Sequence, residues 1–192
     1  MLLTWLRRPG LLCIAALIGL AAPAPAAAQD EGRFEIRNAF VELQDGAWRL
    51  NVRLDLALSA AAQQAFDEGV PLVLELEAEA SIARRFLPDQ TVVSQTREWQ
   101  LVHDAIADRH VVTDAASGEH TSYATQAEAL AVLARIADIR IADTSEIAAD
   151  VRFDMRVRAS VEIGELPAAI KLLLFWKTWS RSTDWYAWSV RP

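Results

Sequence analysis

Hydrophobic and polar residues alternate one for one through much of this chain, and that alternation predicts strands. Trp48, Leu50, Val52, Leu54, Leu56 and Leu58 share one parity, while Arg49, Asn51, Arg53 and Asp55 take the other. This is the pattern of a strand with one face on a core. Upstream, Phe34 and Ile36 alternate, then Ala39, Val41 and Leu43 continue on the opposite parity, so a bulge near Asn38 is expected. Asp45-Gly46 between the two runs is a hairpin-turn dipeptide. Further on, Leu72, Leu74, Leu76, Ala78 and Ala80 oppose Glu75, Glu77 and Glu79. The longest alternation runs from Ile147 to Ile163, with Arg152, Arg156 and Arg158 on its polar side. The acidic and basic faces are complementary, which predicts that these two strands are neighbours or that their outer faces meet.

Two stretches change period. Ser59 to Glu68 predicts a short helix with Ser59 as cap, Phe66 as anchor and Gly69 as stop. Thr125-Gln126-Ala127-Glu128 has capping-box spacing, and the apolar residues behind it predict a helix to about Ala137 or Asp138. Between them, residues 96–105 and 109–113 predict a strand pair turning at Asp108, with Trp99 and Leu101 on one parity together with Arg97 and His103. Pro88-Asp89 marks a loop and Ser117-Gly118 a further turn. No sustained βαβ pattern occurs. The expected fold is mainly β: an antiparallel sheet or two-sheet sandwich with two or three short helices, or α+β if the helices pack on one face.

The N-terminus stands apart. Arg7 and Arg8 precede the uncharged apolar run 11–22, and Ala26-Ala27-Ala28 offers a small-residue cleavage site before Gln29. Residues 1–28 therefore read as a secretory signal peptide, and 29–192 as one β-rich domain. An uncleaved anchor is the alternative, but the run is short for a bilayer span. The expected address is the periplasm, or export more generally, after cleavage near Ala28. The single cysteine, Cys13, leaves with the signal, so no disulfide is expected in the mature chain. The whole chain carries a formal charge of −7, and losing Arg7 and Arg8 makes it more acidic. That balance argues against nucleic acid and against docking onto anionic lipid. Past the signal no apolar run is long enough to predict a transmembrane span.

Catalytic and metal patterns are sparse. His103 and His110, with Asp104, Asp108 and Asp114, would need to converge to hold a metal, yet strand parity puts His103 and Asp104 on opposite faces. Ser117-Gly118-Glu119-His120 lacks the strand–elbow–helix setting of a nucleophile and reads as a turn. The glycines do not cluster as phosphate-binding loops require. Neither a metal nor a cofactor is expected.

The C-terminal segment is aromatic: Trp176, Trp179, Trp185, Tyr186 and Trp188 fall within it. These residues either close a core or present a surface to a partner, and they are the candidate binding surface. For 167–179, period alone does not choose between a helix begun by Pro167 and a strand.

The strand around Trp48 to Leu58, the stretch Arg97-Glu98-Trp99-Gln100-Leu101-Val102-His103-Asp104, the capped helix at Thr125, the Asp150-to-Arg158 strand and the Leu166-Pro167 to Trp188 end together carry a resemblance. The chain resembles, from about Phe34 to Val190, a family of exported proteobacterial proteins classed only as a domain of unknown function. Its C-terminal Leu-Pro … Trp-Tyr-x-Trp end is the most specific part. The family pattern often has a second proline near Ala169, which this chain lacks. The resemblance brings no catalytic residue, and it implies only an associational link to an envelope sensor kinase. The function expected is that of a non-enzymatic soluble periplasmic domain binding a protein partner in the cell envelope. The alternatives are small-molecule or glycan binding through the C-terminal tryptophans, and an unrecognised hydrolase.

Overall fold

A computed structural model describes residues 32–163 and 180–191; the signal-peptide reading, the 167–179 segment, Trp176 and Trp179 lie outside them. Strands β1 (Arg33–Gln44) and β2 (Ala47–Ala57) form a hairpin. At its turn Asp45 and Gly46 have φ of 51° and 75°, the mirror-image turn whose hand matches strand twist. The register slips between Ile36 and Asn38, so the bulge sits where the parity switch placed it. Ser59 caps α1 (Ala60–Asp67) by accepting the Ala62 N–H at 3.1 Å, and Phe66 is buried beneath the helix.

Strands β3 (Leu72–Ile82), β4 (Gln90–Asp104), β5 (Arg109–Asp114) and β6 (His120–Tyr123) follow as a meander. Helix α2 (Gln126–Leu133) leads into β7 (Arg135–Asp143), which returns to pair with β2. Strand β8 (Phe153–Ile163) pairs with β3 on one side and with β9 (Ser180–Ser182) and β10 (Tyr186–Val190) on the other. The result is mainly β: a three-stranded sheet β1-β2-β7 and a seven-stranded sheet β10-β8-β3-β4-β5-β6 with β9 beside β8, all antiparallel.

The core lies between the sheets. Leu72, Leu74 and Leu76 of β3 and Phe153, Met155 and Val157 of β8 face Leu50, Val52 and Leu54 of β2. Each such side chain contributes on the order of 1.5–3 kcal/mol through burial. The Trp48 indole meets the Phe153 ring edge-on at 5.1 Å and donates from Nε1 to the Ile147 carbonyl at 2.8 Å. On the outer face the complementary charges do meet. Glu77 lies opposite Arg158 and Glu79 opposite Arg156, with Nε-to-carboxylate distances of 3.0 and 2.8 Å. Glu75 faces Ser160 instead, and Arg152 donates to the Ser189 hydroxyl.

Three element boundaries differ from the pattern reading. The capping box at Thr125 forms, but α2 ends at Leu133 and not near Ala137. Ala134 and Ala137 prolong the helical spacing of Ala127, Leu130 and Ala131 into β7, where Ile136 and Ile139 are again three apart. They both point inward because Ala137 and Asp138 together oppose Asn51, and Asp138 adopts φ 67°. A bulged strand thus reproduces helical spacing. Strand β8 begins at Phe153, not Ile147. Ile147 is buried in a turn, where its N–H bonds the Asp143 carbonyl and its own carbonyl serves Trp48. Strand β4 starts at Gln90, earlier than residue 96, and β6 is too short and polar to show a period.

Candidate binding cleft

On the inner face of the large sheet, chemistry changes with distance from β3. Leu72, Leu74 and Leu76 stand opposite Leu101, Trp99 and Arg97 of β4, and Leu101 and Trp99 stand opposite Val112 and Asp114 of β5. The row that is leucine on β3 therefore ends in an arginine and an aspartate that share the core side. The three-stranded sheet stops at β7, and a cleft of about 530 Å³ opens between β7 with α2 and the inner faces of β4, β5 and β6. Trp99, Val112, Tyr123, Leu133 and Ile136 give it apolar walls. That volume lies in the range of small-molecule sites.

Arg97 donates from Nη2 to Asp114 at 2.9 Å, while its Nε is shut off from solvent without a partner. A buried donor left unsatisfied costs about 1–3 kcal/mol. The other Asp114 oxygen accepts the N–H groups of Ala116 and Ser117 at 2.8 and 3.1 Å, which ties the β5–β6 turn to the cleft. Burial alone would push the Asp114 carboxyl up, but those two N–H groups and Arg97 outweigh it and hold it below the usual range. The other lining charges divide in the same way. Asp138 accepts from Arg49 at 3.3 Å, and Arg140 pairs with Asp143. Arg135, exposed at the start of β7, forms no ion pair among the described residues, and Glu119 stands exposed at the rim. Gln95 donates to the Arg140 carbonyl at 3.2 Å and ties β4 to β7.

The described C-terminal aromatics do not form one surface. Tyr186 and Trp188 sit opposite Val157 and Met155, pack against the core and have ring centroids 5.7 Å apart. Trp185 lies over the outer face, its ring 4.6 Å from the Arg156 guanidinium and 4.8 Å from that of Arg158. The Glu79–Arg156 and Glu77–Arg158 pairs thus carry a tryptophan lid.

The histidines are placed by pairing. His103 and His110 are direct cross-strand partners with rings stacked at 4.8 Å, and Phe66 covers His110 at 5.8 Å. Burial and the neighbouring His103 push the His110 pKa down. Asp104 instead accepts the N–H groups of Ile106 and Ala107 in the β4–β5 turn. His120 bonds the Thr113 hydroxyl, and Ser117 accepts the Glu119 N–H. Among the described residues no three ligand-type side chains gather as a metal site would require.

Pattern reading singled out the C-terminal aromatics and did not assign the cleft. The available signal was Arg97, a charge on the apolar parity of Trp99 and Leu101.

Architecture and cleft together define a two-sheet antiparallel β protein with an opening at one side of its sandwich. The chain belongs to the family described as a domain of unknown function, DUF4390, whose model matches residues 31–189. No curated protein and no solved structure matches it.

Proposed function

We propose that this chain is an exported, non-catalytic binding domain of the cell envelope, and that it binds a small molecule in the cleft beside β7. The observation that carries the binding reading is the inward-facing Arg97–Asp114 pair beside Trp99, on strand positions that are otherwise core. Charged side chains and the apolar Trp99, Val112, Leu133 and Ile136 meet in one opening, and a concave site that joins both can orient and hold a ligand. Export is supported by the basic start, apolar run and Ala26-Ala27-Ala28 of the N-terminus. The non-catalytic reading takes Asp114 as a positioning group and not a base, because both its oxygens are already hydrogen-bonded. The test takes the mature protein from the periplasmic fraction, checked to begin at Gln29, and measures its melting temperature against small molecules extracted from the same compartment. Thr121→Trp, an exposed cleft position, plugs the opening. A rise in wild type that the plugged variant lacks is expected; no rise with any fraction counts against the cleft.

A second reading is a protein partner on the outer face of β8. Trp185 over two arginines that are already ion-paired is a rigid aromatic and guanidinium surface, the composition that dominates binding hot spots. Trp185→Ala should reduce capture of an envelope protein by at least tenfold at matched concentration. Equal capture by both forms removes this reading.

A further inference from the structure

The cleft's unspent charge indicates what enters it. Of its three lining acids, Asp114 is bonded on both oxygens and Asp138 is engaged by Arg49. Only Glu119 is left, and like Arg135 it is exposed, so solvent screens the two alike. Of the three lining arginines, Arg140 is paired with Asp143. Arg97 commits Nη2 to Asp114, its Nε is out of reach, and only its remaining terminal N–H groups are free; Arg135 has no ion pair among the described residues. The formal lining charges balance, and the imbalance is local: at the inner end both Asp114 oxygens are taken while Arg97 has N–H groups to spare. Behind them Trp99, Val112, Leu133 and Ile136 form an apolar wall with no charge to satisfy. A guanidinium prefers a planar oxyanion, which it meets through two parallel N–H bonds.

Resting on the reading of the cleft as the binding site, we propose that its ligand is a small carboxylic acid with an apolar body. The carboxylate lies between Arg97 and Arg135, and the apolar body lies against Trp99 and Ile136. Neutral molecules of the same shape fill the wall but leave the arginines to water.

Titration calorimetry of the exported protein with phenylbutyrate and octanoate, against phenylbutanol and octanol, tests this. Each acid is expected to bind at least about tenfold more tightly than its alcohol, the scale of one charge-assisted hydrogen bond. Arg97→Gln and Arg135→Gln should each bring the acid down toward its alcohol. If Arg97→Gln does not fold, because Asp114 has lost its partner, Arg135→Gln carries the comparison alone, since Arg135 is exposed and unpaired. Backbone amide shifts should move at Trp99, Val112 and residues 135–139. Acid and alcohol binding equally there overturns the acid class while leaving the cleft as a site. No binding by either overturns both, and shifts confined to β10 overturn the location.

Discussion

At the scale of single residues, Asp138 fixes more of the fold than its exposure suggests. It takes φ 67°, and together with Ala137 it spans one residue of β2, so Ile136 and Ile139 both reach the core. Its N–H donates to the Asn51 side chain and its carboxylate accepts from Arg49. A side chain with a branched Cβ is strained in that backbone region by about 1–2 kcal/mol, whereas glycine is not. Asp138→Val should therefore lower the unfolding free energy by about that amount. Asp138→Gly should stay within about 1 kcal/mol of wild type, since the exposed Arg49 contact contributes little. Urea unfolding of the three proteins checks the order, and a valine variant as stable as wild type would refute the strain at this bulge. Trp48 shows the opposite economy: its indole satisfies the carbonyl of buried Ile147, so one side chain both fills the core and pins the turn before β8.

At the scale of elements, what could be read from the pattern was what is local. Strand β3 and the strand core of β8 alternate without interruption, and both cap residues, Ser59 and Thr125, behave as their spacing implies. Even the Glu77–Arg158 and Glu79–Arg156 neighbours followed from complementary faces. The failures share one cause, which is that tertiary contacts override period. In β7 the bulge converts a strand's spacing into a helix's. Around Ile147 an alternation in phase with β8 belongs to a turn held by Trp48 and Asp143. The aromatic end was divided in the same way: the ladder turns Tyr186 and Trp188 inward, and the arginines of β8 draw Trp185 to the other side. Three residues close in sequence could not reveal that, because the answer depends on what β8 presents on each face.

At the scale of the whole molecule, the cleft follows from unequal widths. Three strands cannot cover the inner face of seven, and β1 approaches β8 and β10 on one side while β7 stops short on the other. The uncovered inner face of β4 and β5 can then hold Arg97 and Asp114, which a closed core would penalise, while His103 and His110 stack further along the same strands beneath Phe66. This mixed chemistry gives folding a pH dependence with a fixed sign. His110 has its pKa lowered from 6.5 by burial and by His103, against smaller raising effects of Asp108 and Asp67. Above 6.5 both folded and unfolded forms are neutral and its contribution is fully present. As pH falls below that value the unfolded chain takes up the proton first, so stability is lost until the folded value is passed. Asp114, and Asp55 held down by its bond from Arg37, are also lowered, from 3.8. Their contribution is present above 3.8 and is lost only as pH falls further, so the two losses on acidification are separated. His110→Phe keeps an aromatic ring between Phe66 and His103 but cannot titrate. In urea unfolding followed from about pH 8 to about pH 4.5, the wild-type midpoint should begin to fall near the histidine range, and the variant's should hold until the carboxylates titrate. Parallel curves for the two proteins would show that His110 is not the group carrying the first loss.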